Sequence, residues 1–425
     1  MIGEGRRRKK QQLHIGRQHH CHHNSVLIQT CDTRKQMNLF LNLMFLLAIS
    51  SLRSYRNVAC AFSHTSTSQK SKLGYSISTA KLYATEKAKV LFLGTPDVAA
   101  TSLMRLVEDS KKDTSAYEIV GVVTQPPKRR KRRGKETRSP VAITADEFDI
   151  PVLTPVKARD DDFLTDLEEN FKPDLCITAA YGQYLPKRFL EIPRLGTLNI
   201  HPSLLPRWRG ASPVQRSLEA GDNPVGVSIL FTVSKMDAGP IVNQAEETIE
   251  ENDDATKVLP HLFGIGDDLL MDVLPDVIEG KITMETALEQ NSEDVVNADM
   301  IDSSEGELFV WRDSALTCHN KVRGFSMWPG TFIYVKVGQD EDSEPIKMKI
   351  IKSRVLEFSG SERTDEICLG PNKKDGLRVV CGDGSVLELL IVQPVTRKAM
   401  DAKSFVNGLR GETLRWLKTP EPEDQ

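Results

Sequence analysis

The chain has 425 residues, 39% of them hydrophobic, with 56 Lys and Arg against 59 Asp and Glu. That is apolar material enough for two or three cores, and it excludes a fibrous, collagen-like or wholly disordered chain. The seven cysteines form no C-x-x-C pair and no regular spacing, which excludes a disulfide framework and a structural zinc site and points to a reducing compartment.

The formal net charge of −3 conceals a division: residues 1–85 hold 13 basic residues and only Glu4 and Asp32 as acids, whereas residues 86–425 hold 43 basic and 57 acidic ones. Six of the nine histidines also fall in this leader, and the tract His19, His20, Cys21, His22, His23 reads as compositional bias rather than a metal site. The apolar run at residues 39–49 is too short to span a bilayer and fits the hydrophobic region of a signal peptide. Residues 50–85 contain no acidic residue and are rich in Ser, Thr, Arg and Lys, as in a transit peptide. Signal-like followed by transit-like is a two-part address. With Ala61 before Phe62, residues 58–66 resemble the cleavage region of bipartite plastid leaders; a mitochondrial presequence, with Met37 as a candidate start codon, is the close competitor, and a disordered extension with no address is the plain alternative. The expectation is a disordered organelle-targeting leader over residues 1–85 and a mature form with no membrane part.

From Lys89 the texture changes. KVLFL ended by GTPDVAATSLMRLVE reads as a buried strand, a tight turn and a helix opened by Pro96 and Asp97. The pattern recurs with EIVGVV, the helical ITADEFD, PVLTP, the helical DDFLTDLEENF, PDLCIT and GTLNI. Short apolar strands alternating with amphipathic helices predict an α/β fold with a Rossmann-like, mainly parallel, doubly wound sheet. Ligands of such sheets bind beyond the carboxyl ends of the strands. A helical signal runs through residues 257–280, and from Thr331 the runs TFIYVKV, IKMKIIKSRVLEF, LRVVC and SVLELLIVQPV predict a second, all-β domain, a small barrel. The expected organisation is a first domain over residues 86–290, a polar linker over 291–306 and a smaller C-terminal barrel over 307–425.

Three clusters follow strand ends. In LNIHPSLLPRWRGASPVQ, Asn199 and His201 are two positions apart, so at the end of a strand both side chains face one way. Asn donates an amide N–H to an oxygen acquiring negative charge, and His moves a proton near neutral pH; a purely structural histidine is the plain alternative. In VGVSILFTVSKMDAGPIV an apolar run ends at Asp237 on a glycine turn, where a carboxylate can orient the imidazole and position a water; an ordinary Asx turn is the plain alternative. The third cluster is a loop in which Lys128, Arg129, Arg130, Lys131, Arg132, Arg133, Lys135 and Arg138 face a single acid, Glu136. Such density predicts a solvated loop suited to a polyanion, with a nuclear-localisation tract or a merely solubilising loop as the plain alternatives.

With GTPDVAA, AAYGQYLP, NIHPSLLPRWRGASPVQRSLEAGD, MDAGP and VRGFSMWPGTF, the chain from about Lys89 to Leu417 resembles the methionyl-tRNA formyltransferase family. SLLPRWRGA is its most specific element. Asn-x-His followed by Asp-x-Gly is shared across transferases and hydrolases that use 10-formyltetrahydrofolate. The resemblance implies formyl transfer from 10-formyltetrahydrofolate to methionyl initiator tRNA by a monomer, with no metal. It implies Asn199, His201 and Asp237 as catalytic residues. The folate would lie along Ala180, Tyr181, Gly182, Leu185, Ser203, Leu204, Leu205 and Pro206. The tRNA would lie along the basic loop, with Arg207 and Arg209 also in contact, and against a barrel of the oligonucleotide-binding kind. His201 precedes Pro202 where bacterial members commonly carry Gly-Ser, and the loop keeps Gly134, Lys135, Ser139 and Pro140 within a denser Arg/Lys run.

A small-molecule formyltransferase or a formyltetrahydrofolate hydrolase is the alternative; a small substrate needs neither the basic loop nor the barrel. A silent tRNA-binding factor has no chemical reason to keep all three catalytic residues. Gly94-Thr95-Pro96-Asp97 is not the G-x-G-x-x-G of a dinucleotide-binding dehydrogenase.

Overall fold

The computed structural model describes residues 86–129, 135–340, 343–357 and 364–420. The leader, with the targeting and histidine-tract readings made on it, lies outside the described residues.

From Ala88 strands and helices alternate as the sequence predicts. The order is β1 (Ala88–Gly94), α1 (Asp97–Ser110), β2 (Tyr117–Val123), β3 (Lys128–Arg129), β4 (Glu136–Thr137), α2 (Pro140–Glu147), β5 (Val152–Leu153), α3 (Asp161–Asp166) and β6 (Leu175–Ala179). There follow α4 (Lys187–Leu190), β7 (Thr197–His201), β8 (Arg207–Gly210), α5 (Pro213–Ala220), β9 (Val225–Phe231), β10 (Ile241–Glu247) and α6 (Ala255–Ile278). The main sheet runs β10-β9-β7-β6-β1-β2-β5. It is parallel from β7 to β5, and β9 and β10 add an antiparallel edge.

From Val90 to Leu93 strand β1 is apolar because both of its faces are covered. Val90 and Phe92 join Leu106 of α1 and Leu262 and Leu270 of α6 on one side. Leu91 and Leu93 join Phe163, Leu164, Leu167 and Phe189 on the other, so the side-chain period of two sorts the strand into two helical layers. The single helix predicted through Phe171 instead leaves α3 for a wider π turn over Leu167–Phe171, closed by the Lys172 N–H on the Leu167 carbonyl at 2.8 Å. Lys172 ends that turn in the left-handed region at φ 45°, just before Pro173, which disfavours continuing a right-handed helix.

Residues 291–306, expected as a linker, are structured. A 3₁₀ turn at Ser292–Asp294 precedes β11 (Val296–Ala298), which pairs in parallel with β8, and a second 3₁₀ turn at Ser303–Gly306 carries a capping box between Asp302 and Glu305. Their polar composition serves caps rather than slack.

The second domain holds α7 (Ala315–Gly324), β12 (Thr331–Val337), β13 (Ile346–Leu356), β14 (Cys368–Leu369), β15 (Leu377–Val380), β16 (Val386–Pro394), β17 (Met400–Asp401), α8 (Ala402–Leu409) and β18 (Leu414–Trp416). Its antiparallel strands run β14-β15-β16-β13-β12-β18. The Ile367 N–H reaches the Leu414 carbonyl at 2.8 Å and the Trp416 N–H that of Asp365 at 2.9 Å, so the barrel is nearly closed around Ile333, Val335, Met348, Ile350, Leu387 and Leu389. The domain is not all-β, as α7 and α8 correct. Helix α7 packs Ala315, Cys318 and Val322 into the barrel core while Arg323 Nη1 donates to the Asp253 carbonyl at 3.0 Å. His319 is structural: buried, its ring nitrogens lie 3.0 Å from Ser353 Oγ and 3.3 Å from the Glu251 carbonyl, and burial lowers its pKa.

Candidate active site

Asn199 and His201 end β7 on one side of the strand, as their spacing predicts. His201 is 4% exposed. Asn199 pairs in register with Thr178 of β6, whose Oγ1 donates to Asn199 Oδ1 at 2.7 Å. With its oxygen taken, the Asn199 amide is left with N–H groups to offer.

Asp237 sits in the turn between β9 and β10 at φ 47°. Gly239 permits that turn, because a Cβ there would lie 1.7 Å from the Phe231 carbonyl oxygen. The Asp237 carboxylate accepts the Gly210 N–H at 2.9 Å and lies 3.8 Å from His201 Nδ1. The structure therefore brings together all three catalytic candidates at the carboxyl edge of the sheet. The other imidazole nitrogen, Nε2, lies 2.9 Å from the Trp208 carbonyl oxygen.

The start of β8, which supplies that carbonyl, is held by side-chain bonds to Asp222. Trp208 adopts φ 67°, its indole Nε1 donates to Asp222 at 2.6 Å, and Arg207 donates to both Asp222 oxygens at 2.8 and 2.9 Å. The Arg207 guanidinium stacks 4.6 Å over the Trp208 ring, and its bonds to Asp222 raise its pKa. Arg209 is buried, which lowers its pKa against the pull of Asp237, and its Nε and Nη2 donate to Gln290 Oε1 at 2.9 and 2.7 Å. Of the two arginines expected at tRNA, Arg209 is buried against Gln290, whereas Arg207 stays exposed with Asp222 as its partner. Tracts of Arg read as phosphate contacts from sequence; burial and partners are invisible there.

Of the folate candidates, Ala180 (φ 46°) and Gly182 (φ 78°) present exposed backbone just past β6. Tyr181 and Leu185 point into the apolar layer under α3 and α4. This rim is anchored from beneath, since Thr95 Oγ1 donates to the Tyr181 carbonyl at 3.0 Å and Gln125 Nε2 reaches the Tyr181 and Gly182 carbonyls at 3.2 Å each. Ser203 donates to the Arg207 carbonyl at 2.9 Å, Leu205 packs with Leu230 and Ile241, Leu204 is half-buried, and the Pro206 carbonyl accepts the Val296 N–H at 3.4 Å.

The basic loop stands on a short hairpin, β3 against β4, following β2. Lys128, Arg129, Lys135 and Arg138 are exposed; Arg129 lies 3.3 Å from Glu136, and Arg138 is paired with Asp146 of α2. Arg130, Lys131, Arg132 and Arg133 lie outside the described residues.

Residues 88–274 match the formyl transferase family, and residues 301–410 match its C-terminal domain. The chain is 36% identical over 320 residues to the methionyl-tRNA formyltransferase of Listeria innocua, covering 75% of this chain and 95% of that one. It is 35% identical, over the same shares, to the methionyl-tRNA formyltransferase of Bacillus licheniformis. The chain belongs to the methionyl-tRNA formyltransferase family. It is an enzyme that transfers a formyl group. Among solved structures, a sugar 3N-formyl transferase crystallised with dTDP and 5-N-formyl-THF shares its fold with a TM-score of 0.52 at 16% identity, over 73% of this chain and 99% of that one. An N-formyltransferase from Helicobacter canadensis, in complex with folinic acid and dTDP-3-aminofucose, gives 0.50 at 17%, over 71% and 98%. In this formyltransferase the sequence did not reveal Thr178, Trp208, Asp222 or Gln290. Trp208 and Asp222 lie inside the quoted string from Asn199 to Asp222 and Thr178 lies near the end of a motif strand, which was the available signal; Gln290 had none.

Proposed function

We propose that this enzyme moves the formyl group of 10-formyltetrahydrofolate onto the α-amine of methionine esterified to initiator tRNA, acting as a monomer in translation initiation within an organelle. The observation that carries the chemistry is the convergence of the Asn199 amide, the His201 imidazole and the Asp237 carboxylate at one strand end. The amine attacks the formyl carbon, and the oxygen that gathers charge is met by the Asn199 N–H and the imidazolium of His201. As the carbon–nitrogen bond to the folate breaks, His201 and Asp237 deliver a proton to the departing nitrogen and take one from the attacking amine. The 3.8 Å gap between His201 and Asp237 is longer than a hydrogen bond, as is common before substrate tightens a site.

The exposed backbone of Ala180 and Gly182, fixed by Thr95 and Gln125, suits the polar edge of a flat heterocycle beside Asn199. The hairpin carrying Lys128 and Arg129 supports docking of a polyanion over the same sheet edge. The substitutions Arg129→Ala, Arg130→Ala, Arg132→Ala and Arg133→Ala together raise the KM for tRNA and flatten its salt dependence while folate binding stays intact. Unchanged salt dependence would remove the loop from the tRNA interface.

The reading is tested by formyl transfer to charged initiator tRNA with the chain from Glu86 onward, beside His201→Ala and free methionine. Product on tRNA that vanishes in the variant supports it. Folate turnover without tRNA product moves it to a small-molecule formyltransferase or a hydrolase. The organellar assignment rests on the basic, acid-poor leader. A fluorescent protein fused behind residues 1–85 should enter plastids or mitochondria, and a cytosolic signal would overturn it.

A further inference from the structure

We infer that Gln290, ahead of the chain that leads to the barrel, is a positioning residue for Asp237 and is itself set by Arg209. This rests on the role proposed for Asp237. The Gln290 amide is fully used: Nε2 donates to the carbonyls of Asp237 and Gly239 at 2.9 and 2.7 Å, and Oε1 accepts from Arg209 at 2.9 and 2.7 Å. Arg209 fixes which end of the amide faces which way, because only an oxygen can face a guanidinium. Both amide hydrogens are thereby aimed at the turn that carries the carboxylate.

That turn needs an outside hold. Asp237 is in the left-handed region at φ 47°, a conformation that non-glycine residues keep only when surrounding structure fixes it. One neighbour in β8, Gly210, holds the Asp237 carboxylate through its N–H, and the next, Arg209, holds the Asp237 backbone through Gln290. The carboxylate is thus fixed at both ends by two consecutive residues of one short strand. Strand β8 is itself paired with β11, eight positions at most beyond Gln290, so the path to the barrel is tied into the catalytic turn instead of running free of it.

The test uses the full-length chain and formyl transfer to charged initiator tRNA, with kcat, both KM values, the pH profile of kcat and thermal melting measured for Gln290→Met, Arg209→Met, the double variant and Asp237→Asn. Methionine keeps the volume and removes the hydrogen bonds. Gln290→Met is expected to lower kcat at least about tenfold and displace the pH profile, leaving both KM values within about twofold. The double variant should lose no more than the worse single one, as for residues acting through one path. Wild-type kcat and pH profile in Gln290→Met, with Asp237→Asn inactive, would overturn the positioning role alone. Full activity in Asp237→Asn would overturn the catalytic reading of Asp237 and this inference with it. Should Gln290→Met fail to fold, Arg209→Lys, which keeps the charge and loses the paired donors, must show the same fall in kcat at unchanged KM, and its absence counts against the inference.

Discussion

The imidazole of His201 reaches the carbonyl oxygen of Trp208 at 2.9 Å. Its other nitrogen looks toward the Asp237 carboxylate at 3.8 Å. A carbonyl oxygen only accepts, so the nitrogen facing Trp208 carries the ring N–H, and Nδ1 is the nitrogen left on the side of Asp237.

The Trp208 carbonyl stays in place through Asp222, which gathers the Trp208 indole and the Arg207 guanidinium. Asp222→Ala should release both and let the strained φ of Trp208 relax, swinging the carbonyl from His201. A fall in kcat of about tenfold at unchanged KM for folate is expected. A loss seen only in the KM for tRNA would place Arg207 and Asp222 at the tRNA instead.

Thr178 acts on the other catalytic side chain. Its hydroxyl lies 2.7 Å from Asn199 Oδ1 and 3.1 Å from the Leu198 carbonyl. Thr178→Val keeps shape and burial but lets the amide rotate, presenting its oxygen to the developing oxyanion for part of the time. Rate assays should show kcat lowered about tenfold, with the melting temperature little changed. A variant as active as the parent would mean that Asn199 is oriented by substrate alone.

The doubly wound sheet was legible because β1 and β6 carry short apolar runs, residues 90–93 and 175–177, with Gly94 ending β1 and Gly196 just before β7, and the Asn199/His201 pair because a strand repeats every two residues. Other parts of the molecule were hidden for physical reasons. Helix α8 carries a readable cap, Asp401 accepting the Ser404 N–H at 2.9 Å, yet its eight residues are masked by the β-rich text around it. The ordering of residues 291–306 depends on pairing with β8, some ninety positions earlier, and no local pattern reports a partner so distant. Arg209 and Gln290 are polar residues whose burial is decided by that same pairing.

Gly210 is where the pairing is tightest. At φ 135° it brings the backbone so near β11 that a Cβ would lie 2.5 Å from the Ala298 carbonyl oxygen. Gly210→Ala must push β8 and β11 apart, at a cost of about 2–4 kcal/mol, and it withdraws the N–H that Asp237 accepts. Denaturant unfolding and kcat should both fall. Activity preserved in a destabilised protein would show that the Gly210 N–H is dispensable for Asp237.

Asp267 offers a test of stability away from the site. It lies in α6, 3% exposed, with Arg105 Nη1 of α1 at 3.6 Å. Burial pushes its carboxyl from the ordinary 3.8 up to about 6, against the opposing pull of Ser102 and Arg105. Between those two values the native protein holds a proton that the unfolded chain has released. Stability attributable to this group therefore falls as pH rises through the window and stays lower above it. Asp267→Asn, nearly the same shape and never charged, should raise the free energy of unfolding by ~1–2 kcal/mol at pH 7.5, the loss of the Arg105 contact taking part of the gain. Below about pH 3, where the aspartic acid is protonated in both states, the gain should vanish. Urea titrations at acidic and neutral pH decide the matter, and a gain of the same size at both would show that the buried charge is not its source.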